Sequence, residues 1–192
     1  MSGSPYVNSA GVFLIQTLFS LYILALMLRF LLQWVRADFY NPLVQFLVTI
    51  TNPPLLPLRR YVPGFMGLDM ATVLLMVVLT MLQWLLILSI GGRDSSLIGL
   101  LIFSVAELLR LLFNVFFWAV IIRAVLSWIA PDPRQPAIAV VGQLTEPVMR
   151  PARGLIPPIS GLDLSPIVVL LALQLLQMLL VAPLHDLALS LM

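Results

Sequence analysis

The chain has 192 residues, of which 61% are apolar and only 9% charged, with a mean hydropathy of +1.10. A soluble domain carries roughly a quarter charged residues, so a water-facing surface could not be covered here, and both a soluble enzyme and a disordered chain are excluded. The net charge is +2, all ten basic residues are Arg and Cys is absent, which removes thiolate, disulfide and lysine-based chemistry.

Residues Met1–Ala10 contain no Lys or Arg. The apolar stretch behind them outruns the ~15-residue core of a secretory signal, so the first hydrophobic segment is read as permanent. Helix 1 is expected over 9–35, its charge-free run Gly11–Leu28 being long enough to cross a bilayer. Asn41-Pro42 then reads as a helix start, with Pro at the first helical position where its missing N–H costs nothing. About ten mostly apolar residues follow, roughly 15 Å of helix. That is too short to span, and fits a segment lying in the interface or dipping into it. Beyond Thr51-Asn52, the prolines Pro53, Pro54, Pro57 and Pro63 are expected to forbid further helix. Helix 2 is expected over 69–90, closed by the turn Gly91-Gly92-Arg93-Asp94.

The second half repeats the first. Shifted by 94 positions without a gap, the sequence gives 19 identities in the 65 pairs from Ala25/Ala119 to Ser89/Pro183. These include Arg29/Arg123, Trp34/Trp128, Asp38/Asp132, Thr51/Thr145, Arg59/Arg153, Gln83/Gln177, the triplet ending at Asp69/Asp163, and four Pro pairs. Matched Leu would be cheap in so apolar a chain, but these are not, and the protein is read as a tandem duplication. Helix 3 is expected over 97–129, a second interfacial segment over 135–158 with breaks at Pro147, Pro151, Pro157 and Pro158, and helix 4 over 164–188. The expected fold is therefore all-α, with four transmembrane helices in two repeats, 9–90 and 97–188. Each repeat has two spans, so the copies are parallel and not inverted. The interfacial segments cover 41–63 and 135–158.

The arginines orient this hairpin pair. The two Pro-rich loops hold Arg36, Arg59, Arg60, Arg134, Arg150 and Arg153, against Arg93 alone in the middle turn and none at the termini. The positive-inside rule then puts the Pro-rich loops in the cytoplasm and both termini in the periplasm, with Trp34 and Trp128 as aromatic anchors.

Few residues can carry chemistry. Arg29 and Arg123 lie inside the ends of helices 1 and 3. They are read either as snorkelling side chains or as an anion site or half of an ion pair. Asp69 and Asp163 read as helix N-caps, and they are expected to face Arg29 and Arg123, closing each hairpin. Glu107 and Arg110 sit three apart inside helix 3 and can pair. Helix 1 has Phe13 and Gln16 at those positions, so a site there would exist in one half only. Gln83 and Gln177, with Gln16 and Gln174, read as interhelical glue. His185, beside Asp186, is read as structural, and one His cannot form a multi-histidine ligand set. The pairs Arg59/Arg60 and Arg150/Arg153 are expected to meet anionic lipid or an acidic partner. No cofactor, metal or nucleic acid is expected, since scattered arginines are not a clustered basic face, and no catalytic constellation appears.

The run Arg29, Trp34, Asn41-Pro42, Thr51-Asn52-Pro53, Pro57-Leu58-Arg59-Arg60, Gly67-Leu68-Asp69 resembles the signature of the YggT (YlmG) family of bacterial membrane proteins. So does its second copy, Arg123, Ser127-Trp128, Thr145-Glu146-Pro147, Pro151-Ala152-Arg153, Gly161-Leu162-Asp163-Leu164-Ser165-Pro166. The first copy departs from the pattern in having Met70-Ala71-Thr72 after its Asp. The resemblance implies a small multi-pass protein of the inner membrane. It also implies links to cell division, to nucleoid organisation and cytochrome cofactor assembly in plastid relatives, and to osmotic and potassium tolerance in bacterial ones. It carries over no catalytic residues. The expected function is a non-enzymatic scaffold or assembly factor with a membrane-protein partner. The alternatives are a small channel- or transporter-like protein and an anionic-lipid-binding regulator. A bundle of four spans is thin, which is compatible with a homo-oligomer.

Overall fold

The computed structural model describes residues 5–65, 67–92, 95–129, 135–155 and 163–192. Among these, the first half consists of α1 (Pro5–Trp34), α2 (Pro42–Leu58) and α3 (Met70–Ile90). The second half consists of α4 (Leu97–Ile129), α5 (Pro136–Leu155) and a last rod. That rod is α6 (Ser165–Leu176), a π-helical turn (Gln177–Val181) and α7 (Ala182–Leu191). Four stretches are long and apolar enough to span a membrane: Tyr6–Trp34, Met70–Ile90, Leu97–Ser127 and Ser165–Leu191. Even the 21 residues of α3 reach about 31 Å, the thickness of a hydrocarbon core. The expected all-α, four-span architecture in two repeats is the one observed.

α1 packs on α3, α4 packs on α6 and α7, and α3 lies against α4, so the two hairpins share one bundle. Its core holds Leu26, Leu31 and Val120, all but inaccessible. The outer faces carry exposed Leu14, Leu18, Val78, Leu82, Trp118 and Leu171. Such a continuous apolar exterior suits lipid rather than water.

The short helices differ from expectation. α2 runs through Pro53, Pro54 and Pro57 to Leu58, and α5 runs through Pro147 and Pro151 to Leu155. The prolines do not stop either helix, because Pro53/Pro57 and Pro147/Pro151 are spaced four apart and lie on an exposed face. There, water or headgroups can take the carbonyls that the missing N–H groups release. One released carbonyl, on Ile50, accepts from the Tyr22 hydroxyl at 3.4 Å. The opposite face turns inward at equivalent positions, with Thr51 and Leu55 in α2 and Thr145 and Met149 in α5 fully buried. α2 and α5 touch each other. Asn41 Nδ2 donates to Pro136 O at 2.8 Å, and the Asp38 N–H donates to Gln143 Oε1 at 3.2 Å. Both short helices therefore sit at the same end of the bundle, as parallel repeats require.

Helix 4 is likewise not a plain α-helix. Pro183 cannot donate, and its ring would meet the carbonyl of residue 179. Just ahead of it the chain widens into the π-turn, where the Ala182 N–H reaches Gln177 O. The turn after α3 begins as expected, with Gly91 capping the helix and Gly92 in a left-handed conformation (φ 63°). Arg93, Asp94, Arg134, Pro157, Pro158 and the Trp128 side chain lie outside the described residues.

Candidate functional site

Each half builds the same clamp where its first span meets its short helix, α2 or α5. Arg29 is buried on α1, and its Nη1 donates to Thr51 Oγ1 at 2.6 Å and to Val48 O at 3.2 Å. Arg123 on α4 repeats this, reaching Thr145 Oγ1 at 2.7 Å and Gly142 O at 3.4 Å. Each Thr hydroxyl gives its own proton to the carbonyl one turn back, Leu47 O at 2.5 Å and Val141 O at 2.7 Å. That leaves its lone pairs facing the guanidinium. A hydrogen bond from a charged donor is worth about 1.5–3 kcal/mol, so each clamp fixes one short helix to one span.

The expected Arg29–Asp69 and Arg123–Asp163 pairs do not form. Asp69 is paired with Arg59, and Asp163 with Arg153 at 3.2 Å. The end of each short helix carries an arginine ten residues before the aspartate, Arg59 at the C-cap of α2 and Arg153 in the last turn of α5, while Arg29 and Arg123 are committed to Thr51 and Thr145. Arg123 takes a different carboxylate, Glu146, with Nη2 to Oε2 at 3.1 Å, and Glu146 also lies 3.7 Å from Arg153. The N-cap expectation holds for Asp69, which accepts from the Thr72 N–H at 3.3 Å and the Thr72 hydroxyl at 2.6 Å. It does not hold for Asp163: Leu164 takes the N-cap position of α6, and Asp163, one residue earlier, accepts from the Ser165 N–H at 2.9 Å. Burial pushes the Asp69 carboxyl up, but hydrogen bonds from Arg59 and Thr72 outweigh it and hold the group below its ordinary value. Asp163 is also held low, by Ser165 above all and, more weakly, by Arg153. Arg60 and Arg150 are exposed, with no ion-pair partner among the described residues.

Beside the first clamp is a cup of about 840 Å³. Its polar lining is Arg29, Gln33, Arg36, Asn52, Arg59 and Asp69, and its apolar wall includes Leu32, Val44, Leu47 and Leu56. Arg36 follows the end of α1 with φ 53°, the left-handed region that favours glycine. The Ala37 N–H closes the turn on Leu32 O at 2.8 Å.

A second polar group lies within the spans. Glu107 pairs with Arg110, as their spacing predicts, and His185 Nε2 lies 3.0 Å from Glu107 Oε1 without an aligned hydrogen bond. The imidazole stacks on Phe103 at 4.8 Å, and Trp84 meets the other ring edge-on at 4.7 Å. Glu107 opens on a recess of about 130 Å³ shared with Gln16, Ser20, Thr80, Gln83 and Asn114. The glutamines act between helices: Gln83 Nε2 donates to Ser20 Oγ at 3.1 Å, and at the equivalent place Gln177 Nε2 donates to Asn114 Oδ1 at 2.6 Å. Gln174 is exposed. Among the described residues no group of three His, Asp or Glu side chains is placed to hold a metal ion.

Two successive matches to the CCB3/YggT family model, at residues 8–90 and 102–184, cover both halves. The chain belongs to the CCB3/YggT family. It is 46% identical over 177 residues to "Uncharacterized protein PA0392" of Pseudomonas aeruginosa, spanning 91% of this chain and 90% of that protein. It is 44% identical over 164 residues to a Vibrio alginolyticus protein described by its place in the proC 3' region, covering 84% and 88% of the two chains. With YggT of Escherichia coli K12 it shares 35% identity over 168 residues, 86% of each. No solved structure matches the chain significantly.

Both clamps generate predictions. Thr51→Val leaves the buried Arg29 head without its side-chain acceptor and should cost about 1–3 kcal/mol of stability. Thr145→Val should cost less, because Glu146 still holds Arg123; thermal unfolding of the purified variants in one detergent compares them. Asp69 has a depressed folded pKa, so its contribution is complete above the unfolded value of about 4 and is lost as pH falls through the lower folded value. Unfolding temperature measured between pH 7 and pH 3 should therefore drop at the acid end, and Asp69→Asn should remove part of that drop.

Proposed function

We propose that this CCB3/YggT protein is a non-enzymatic scaffold or assembly factor of the bacterial inner membrane, with its arginine-bearing face in the cytoplasm and both termini in the periplasm. The observation that carries this reading is the joined pair of short helices. α2 and α5 are each clamped to a span through Arg29–Thr51 and Arg123–Thr145; Asn41, the cap of α2, donates to Pro136 of α5, and Gln143 of α5 accepts from the Asp38 N–H just ahead of α2. A surface so held loses little conformational entropy when a partner docks. It offers two chemistries side by side, exposed Leu43, Phe46 and Leu56 on α2 and the basic Arg150 and Arg153 on α5. The orientation rests on the excess of arginine at this end. A role in cell division or in assembling cofactor-bearing membrane complexes fits such a platform.

A photo-crosslinker at Phe46 or Arg150 in living cells should capture one or a few discrete membrane proteins, and one at the lipid-facing Leu171 should capture far less. Equal, diffuse capture from all three positions would overturn the scaffold.

A second reading, a small channel- or transporter-like protein of osmotic or potassium stress, is favoured by the recess at Glu107. A polar, ionisable cluster inside a span marks function by default, and about 130 Å³ accommodates several waters. If it is right, proteoliposomes should pass protons or potassium in a manner abolished by Glu107→Gln. Flux no greater than in empty liposomes would leave the cluster a structural one.

A further inference from the structure

The duplication supplies an internal control for charge. At the second clamp Arg123 and Arg153 face two carboxylates, Glu146 and Asp163, so the group is neutral. Position 52, the equivalent of Glu146, is Asn. Around the first cup, Arg29, Arg36 and Arg59 therefore face one carboxylate, Asp69, which is already paired with Arg59. Arg29 uses Nη1 for Thr51 and Val48, but its Nη2, which in Arg123 holds Glu146, has no acceptor among the described residues. Arg29 is 6% exposed, and the carboxylate that acts on it, Asp69, is already held by Arg59; a buried guanidinium short of counter-charge is costly, and here it borders a cup of about 840 Å³. Arg36 adds an independent sign. It holds a left-handed conformation (φ 53°) that glycine would adopt more cheaply, and strain of this kind collects where a side chain is needed.

We propose that this cup binds an anionic phosphate group, whose oxygens take the place beside Arg29 that the Glu146 carboxylate fills beside Arg123. Arg29 and Arg36 supply the charge-assisted donors, and Asn52 adds an uncharged amide. The apolar wall of Leu32, Val44, Leu47 and Leu56 suits the glycerol and first methylenes of a phospholipid. A free phosphate would use the polar end alone. A zwitterionic headgroup brings its own cation toward the arginines and is disfavoured. The inference does not depend on the platform recruiting a protein.

The test uses the full-length protein in neutral detergent, with bound lipid counted by native mass spectrometry and stability read by thermal unfolding. Dioleoylphosphatidylglycerol, dioleoylphosphatidylcholine and inorganic phosphate are each titrated. Phosphatidylglycerol should bind saturably and about tenfold more tightly than phosphatidylcholine. A matching response to inorganic phosphate would assign the site to a free anion, and none would assign it to the lipid. Asn52→Glu, which copies the second clamp, should unfold no earlier than the parent chain yet weaken phosphatidylglycerol binding about tenfold, the worth of one charge-assisted bond. The reciprocal Glu146→Asn should gain anion binding. Arg36→Gly, which relaxes the turn, should also weaken binding without loss of stability and serves if Asn52→Glu does not fold. Equal affinity for both lipids, or undiminished binding in Asn52→Glu or, failing its folding, in Arg36→Gly, would overturn the proposal.

Discussion

A guanidinium cannot be left unsatisfied in apolar surroundings, and that constraint organises the arginine-bearing end of this protein. Arg29 and Arg123 are placed within long apolar helices, near the end where α2 and α5 pack. Each draws a threonine and a carbonyl from the short helix against it. The stabilisation runs both ways. The short helix, rich in proline and short of intrahelical bonds, gains a fixed point, and the span gains acceptors for its charge. With the clamp made, the end of each short helix has a set position, and Arg59 and Arg153 reach the aspartates ahead of the second spans.

The spans were legible from sequence because charge-free runs of about twenty residues have few other uses. The repeat was legible because Trp, Arg, Asp and Pro do not align by accident. The extent of α2 and α5 was not. The rule that proline ends a helix describes a helix with no one to take its freed carbonyls, and here Pro53, Pro57, Pro147 and Pro151 keep to the exposed face. A four-residue spacing of the prolines was the signal that could have shown this.

The ion pairs are hidden from the sequence for a different reason. Alignment of the halves says which residues are equivalent, not which are near. Arg29/Arg123 and Asp69/Asp163 match as columns, but so do Thr51/Thr145 and Arg59/Arg153, and only geometry shows which columns touch. Thr51 carries no obvious chemistry in a chain dominated by Leu. Its role appears only when its hydroxyl is seen bonded back to Leu47, with lone pairs toward Arg29. The partnership of His185 with Glu107 was hidden similarly, since it crosses between α4 and α7 and depends on a π-turn that sequence periodicity does not register.

Where the two copies differ is more informative than where they agree. Shared features such as the clamps, the Arg–Asp pairs ahead of the second spans and the glutamine ties at Gln83 and Gln177 hold either hairpin together and need no function beyond that. The differences fall at opposite places. The first copy has Asn at position 52, with a charged and open cup, while the second has a neutral clamp and carries Glu107 and Arg110 where the first has Phe13 and Gln16. A duplicated structural unit under no further demand could neutralise both clamps and keep both spans free of charge, at lower cost in lipid. Each copy instead carries one expense that the other shows to be avoidable, so the search for activity belongs at Asn52 and at Glu107 before the residues the copies share.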